Sequence, residues 1–184
     1  LIKSGKDSKE FMMKKLLALS LTMLFSFALH AQVLTTAEYV DIGRYIGKWY
    51  AISSLPQFFT RNCKAQTAEY EIINDKTISV FNSCLNGKAI KTIKGKAVVK
   101  NPKTNAELIV TFNNFWTRLF RVKGDYTIIK LDPNYEYVMI GSKDRKSLWI
   151  MSRRPDMPED VLAEYTELAK KEGFDTKKFI ISEF

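Results

Sequence analysis

Few groups in this chain could attack a substrate, hold a metal or relay a proton. The one histidine, His30, lies at the end of an apolar run near the N-terminus. From residue 32 onward there is no imidazole. That excludes Ser-His-Asp and Cys-His catalysis, histidine-ligated zinc and histidine-ligated haem for that stretch. Cys63 and Cys84 are the only thiols, too few for a four-ligand structural zinc site. Carboxylates are plentiful, but no convergent acid–base couple is visible. Asp125 and Asp132 fall at opposite ends of one predicted strand and cannot act as a pair. The expectation is a binding protein, with no cofactor and no enzymatic activity.

The remaining chemistry is recognition by rings and cations. Gly47-Lys48-Trp49-Tyr50 opens the first predicted strand, and Ser152-Arg153 ends the last regular one. An indole capped by a guanidinium closes one end of a barrel through apolar burial and a cation–π contact of about 0.5–2 kcal/mol.

These residues need a frame. Met12 or Met13, Lys14, Lys15, the apolar run Leu16–Leu29 and the small Ala31 have the plan of a secretory signal peptide. The expected division is an extraneous stretch 1–11, a signal peptide 12–31 cut after Ala31, and one domain 32–184. No cysteine follows the expected cut, so no lipid-attachment site is expected there. The whole chain has 29 basic and 20 acidic side chains; without residues 1–31 the counts are 24 and 18. A net charge of +6 suits an anionic surface or ligand without singling out nucleic acid.

Short alternating runs rich in β-branched and aromatic residues predict strands at 49–54, 67–73, 77–84, 91–100, 106–112, 126–131, 137–140 and 147–152. Their even spacing suggests a sandwich or a closed barrel. A helix follows. Asp156-Met157-Pro158-Glu159 reads as a capping box with proline in the first turn. Val161, Leu162, Tyr165, Leu168 and Ala169 form its apolar face, and Gly173 stops it. Residues 179–181 read as a ninth, short strand. Cys63 precedes the second strand and Cys84 ends the third, so the turn at Asn74-Asp75 places both at one end of a hairpin. A disulfide is expected if the chain is exported, with two free thiols as the alternative.

In this order and spacing, Gly47-x-Trp49-Tyr50, Gly124-Asp125-Tyr126 and Leu148-Trp149-Ile150-Met151-Ser152-Arg153 resemble the three motifs of the lipocalins. The resemblance is strongest to the bacterial outer-membrane (Blc-type) lipocalins and to apolipoprotein D, and it spans about residues 40–181. Thr67-Ala68-Glu69-Tyr70, Val80-x-Asn82-x-Cys84 and Lys171-x-Gly173-Phe174-Asp175 add to it. It implies an all-β fold: an eight-stranded antiparallel up-and-down β-barrel with one C-terminal α-helix packed outside. It also implies a lipid-sized cavity and a role in lipid storage or transport.

Alternation counted from Trp49 and Arg153 turns Ala51, Trp149 and Met151 inward. Matching to the family adds Ala68, Tyr70, Val80, Asn82, Val110, Phe112 and Tyr126 as ligand-lining residues. The open-end loops, near 54–66, 84–91, 113–124 and 141–147, hold ten basic residues against one acid, Asp144. Arg118, Arg121 and Lys123, beside Phe115, Trp116 and Phe120, suit an anionic headgroup or a peripheral membrane contact. Solvated charges around an aromatic lid are the alternative. Nucleic acid is not expected, because a barrel offers no groove to track a backbone. The expected ligand is a fatty acid, a lysophospholipid or a similar amphiphile, bound in the bacterial envelope, periplasmic or secreted. A structural envelope protein and a lipid-modifying enzyme are the alternatives.

Overall fold

The computed structural model describes residues 33–184, apart from 59, 61 and 113–122. The expected signal peptide and its cut at Ala31 lie outside the described residues. So do Phe115, Trp116, Arg118, Phe120 and Arg121; Lys123 is described by its backbone only.

A short helix, α1 (Ile42–Tyr45), leads into eight strands: β1 (Gly47–Ser54), β2 (Ala65–Asn74), β3 (Thr77–Asn86), β4 (Ala89–Val99), β5 (Glu107–Phe112), β6 (Lys123–Leu131), β7 (Tyr137–Gly141) and β8 (Leu148–Ser152). Each pairs antiparallel with its successor, and β8 returns to β1, which also pairs β2. The result is a closed eight-stranded barrel. Every predicted strand is present, with ends moved by a few residues. α1 was not foreseen, because four residues are too few to show helical periodicity. Asp41 caps it by accepting from the Arg44 backbone N–H.

Alternation divides the barrel's apolar residues into two cores. Trp49, Ala51, Ala68, Tyr70, Val80, Val110, Ile140 and Met151 belong to the inner one. Met139, Leu148 and Ile150 point outward to a second core, built with Tyr165, Ala169 and Phe174. That outer core is the seat of α2 (Glu159–Lys171). Its buried face is the predicted one: Tyr165 and Ala169 are enclosed, with Val161, Leu162 and Leu168 packed alongside.

The start of α2 differs from expectation. Pro158 is itself the N-cap, and no side chain caps the helix. Asp156 instead faces Arg154 at 3.4 Å. With Pro158 as the N-cap, Glu159 is the first helical residue and not the third, so it cannot be the reciprocal partner of a capping box. The helix ends as expected. Gly173 takes φ +89°, and the Phe174 N–H reaches back to the Ala169 carbonyl. After a 3-10 turn at Thr176–Lys178, β9 (Ile180–Ile181) adds to β1 at Ser53 and Ser54.

Candidate functional site

The closed end of the barrel is built on Arg153. Its Cζ stands 3.9 Å from the centre of the Trp49 ring. Its donors reach five carbonyls: those of Ile46 and Lys48 from Nη1, Arg44 and Tyr45 from Nη2, and Tyr135 from Nε, at 2.7–3.2 Å. A guanidinium has five N–H groups, and the five carbonyls match them. Three of these carbonyls end α1, where a cation also suits the helix dipole. Burial works against the Arg153 charge, and the carbonyl cage compensates. Trp49 is fully buried and donates from Nε1 to the Tyr45 carbonyl at 2.9 Å.

The glycine of the first motif is explained here. Gly47 has φ +95°, and a Cβ would lie 3.3 Å from Arg153 Nη1. The position needs both the left-handed backbone and the empty space.

Above this plug, three tyrosines meet. Tyr126 Oη lies 2.5 Å from Tyr45 Oη and 3.0 Å from Tyr70 Oη. Tyr45 stacks on Tyr70 and packs against Trp49. Burial pushes the Tyr70 hydroxyl up to about 12 and raises Tyr45 and Tyr126 well above the usual tyrosine value. All three are therefore neutral at physiological pH. Tyr70 and Tyr126 were anticipated as lining residues. Tyr45 was missed, because it stands on the unforeseen α1.

The other anticipated lining residues also lie on the inner face. Ala68, Val80, Val110 and Met151 are buried in the inner core; Phe112 and Trp149 are partly buried against it. Trp149 donates from Nε1 to Gln66 Oε1 at 3.4 Å, and Gln66 reaches Ser54 Oγ at 3.4 Å. Gln66 was another omission: alternation from Ala68 and Tyr70 turns it inward, but the predicted strand began one residue later, at Thr67. Asn82 shares the inner face of β3 with Val80, and its Oδ1 is buried with no hydrogen-bond partner.

At the open end, Cys63 and Cys84 form the expected disulfide, with Cα atoms 5.3 Å apart. It ties the β1–β2 loop to the end of β3. Part of the basic excess is met by acids from outside the loops. Lys64 pairs with Glu183 at 3.2 Å, and Lys143 with Glu107 at 2.6 Å. The hydrogen bond from Lys143 holds Glu107 below the usual carboxylate range and raises Lys143 in turn. Lys146 lies 3.8 Å from Asp144, and Arg145 donates to the Glu172 carbonyl. Phe58 and Ile90 stand out to solvent at 82% and 69% exposure. Among the described residues, no group of three or more His, Cys, Asp or Glu is placed to hold a metal ion.

This arrangement can enclose an apolar group above a neutral, hydrogen-bonding floor. Residues 40–183 match the model of the lipocalin-like domain. The outer membrane lipoprotein Blc of Vibrio cholerae is 33% identical over 144 residues, covering 76% of this chain and 80% of that protein. The Blc protein of Escherichia coli K12 is 34% identical over 149 residues, covering 79% and 80%. Among solved structures, insecticyanin from the tobacco hornworm Manduca sexta superimposes with a TM-score of 0.64 at 19% identity, covering 83% of this chain and 85% of that one. The chain belongs to the lipocalins, a family of binders of small hydrophobic ligands.

Proposed function

We propose that this lipocalin is an exported, non-enzymatic carrier of a small amphipathic lipid, of the fatty-acid or lysophospholipid type, in the bacterial envelope. The observation that carries the reading is the closed barrel itself. Apolar side chains line its inner face, and Trp49 and Arg153 plug one end. An aliphatic chain would lie among Ala68, Val80, Val110, Phe112 and Met151, with the other end of the barrel as its entrance. Export is supported by the signal-like segment 12–31, by the Cys63–Cys84 disulfide and by relatives named outer membrane lipoproteins. Arg118, Arg121 and Lys123 are proposed to meet an anionic headgroup or membrane surface at the entrance. The non-enzymatic reading is supported by a chain with no imidazole beyond His30. Mass spectrometry of an organic extract of the purified protein tests the reading. A copurified amphiphile is expected. A clean extract, together with no uptake of added fatty acid or lysophospholipid, would sink it.

A further inference from the structure

The tyrosine cluster has an imbalance that can be counted. Three hydroxyls carry three hydrogens, and the two contacts at Tyr126 consume two of them. Whichever way the chain is oriented, one hydroxyl hydrogen remains. Among the described residues no further acceptor meets it. Nearby, Asn82 Oδ1 is the opposite case, a buried acceptor without a donor. Buried polar groups are nearly always paired, so an unpaired one marks a place where a partner is missing.

The register brings the two together. Asn82 is directly opposite Ala68, and Tyr70 stands two residues further along β2, opposite Val80. Asn82 and Tyr70 are thus diagonal neighbours on one face, a separation that long side chains span. Ala68, opposite Asn82, is small and puts no long side chain beside the Asn82 amide on that strand. The surrounding buried side chains, among them Trp49, Val80 and Val110, carry no charge; Lys91, on the same face of β4 and opposite Cys84, is exposed. Arg153, on the far side of Trp49, is committed to its five carbonyls.

We propose that Asn82 and the Tyr45–Tyr126–Tyr70 chain form a subsite, midway along the barrel, for a neutral group that both donates and accepts: an aliphatic hydroxyl or a primary amide. Its hydrogen goes to Asn82 Oδ1, and its oxygen accepts the remaining tyrosine hydrogen. A carboxylate can only accept. To be held here it would need the Asn82 amide to turn Nδ2 inward, and it would bring an anion among buried side chains that carry no charge, which burial penalises. The inference rests on the lipid-carrier reading and narrows it: at equal chain length, hydroxyl-bearing amphiphiles are preferred over free fatty acids.

The test is displacement of N-phenyl-1-naphthylamine from the full chain by four ligands of one chain length: 1-dodecanol, dodecanamide, dodecanoate and methyl dodecanoate. At neutral pH the alcohol and the amide should bind roughly ten- to hundredfold tighter than the carboxylate and the ester, as expected for one buried hydrogen-bond partner gained or lost. At about pH 4, protonation hands the fatty acid a donor and should narrow its deficit. Asn82→Leu should bring the alcohol down to the level of the ester. Asn82→Ala serves the same purpose if the larger side chain prevents folding, as judged by circular dichroism. Equal affinities for all four ligands, or a preference that survives at Asn82→Leu, would overturn the subsite and leave the carrier reading intact. Failure of every ligand to displace the probe would overturn both.

Discussion

At Gly47 and Arg153, single atoms decide the outcome. Gly47→Ala meets a left-handed backbone and a guanidinium at 3.3 Å, so a loss of about 1–3 kcal/mol is expected in chemical denaturation. Trp49→Ala removes a fully buried indole and should cost about 3–5 kcal/mol. Arg153→Ala acts on the same contact, so a double-mutant cycle with Trp49→Ala should be clearly non-additive; strict additivity would mean that the two do not interact. The tyrosines set an alkaline limit. Burial raises their pKa above the unfolded value, so above pH 10 the unfolded chain releases protons that the folded chain keeps. Their contribution is complete below about pH 10 and is lost as pH climbs towards the folded value, about 12 for Tyr70. Unfolding and tyrosinate absorbance should therefore rise together in that window. A titration in which these rings ionise before the fold is lost would contradict this. Trp49, Arg153, Tyr70 and Tyr126 could be read from the sequence, because strand alternation and motif spacing report inward positions. Tyr45 could not, because its inward position depends on a four-residue helix, little more than one turn, in which no periodicity can repeat.

Among the elements, the hairpins were legible because turn residues break the β-branched runs in this sequence at regular intervals. The entry to α2 was not: Asp156 and Glu159 have the types and spacing of a capping box, but cap geometry depends on the backbone at Pro158. Asp156→Ala should accordingly shift stability by less than about 0.5 kcal/mol, well short of the usual loss for a true N-cap. A loss above about 1 kcal/mol in urea denaturation would restore the box. The disulfide is the element-scale feature with the largest expected effect. It spans a sequence separation of 21 residues, for which loop-closure reasoning suggests about 3 kcal/mol. Reduction should lower the melting temperature by several degrees, and thiol labelling of unreduced, denatured protein should modify neither cysteine.

For the whole molecule, the distribution of charge is what the fold revises. Ten basic residues against one acid is a sequence count over loops that only the topology brings together. Sequence offered no means of seeing that Glu107, at the start of β5, would reach Lys143, or that Glu183 would reach Lys64. The strands are staggered around the barrel, so residues from nominally opposite ends come level. The net attraction of this end for anions thus falls, among the described residues, mainly to exposed cations such as Lys88 and Lys91. If the entrance faces a membrane, vesicle binding should rise with anionic lipid and fall with salt. Replacing Arg118, Arg121 and Lys123 by Gln should weaken it at little cost in melting temperature. Co-sedimentation that is absent at low salt would leave the aromatic lid as the better account.

The seam between β1 and β2 has a bearing on solubility. Their pairing stops at Ala51 and Gln66, where β2 gives way to the disulfide-bearing loop, and β1 bulges before Ser53. Above that point β9 occupies the side of β1 that β2 has left, at Ser53 and Ser54. Ser182 and Glu183 continue the seam by donating to the Ile52 and Lys64 carbonyls, and Phe184 packs edge-on against Tyr50. A closed barrel is protected from strand addition because it has no free edge, and here residues 180–184 complete that protection. Deleting residues 180–184 would bare a short ladder of unpaired backbone groups beside an intact barrel. The shortened chain would then tend to self-associate through that edge while still folded, recruiting the strand of a neighbouring molecule in place of its own.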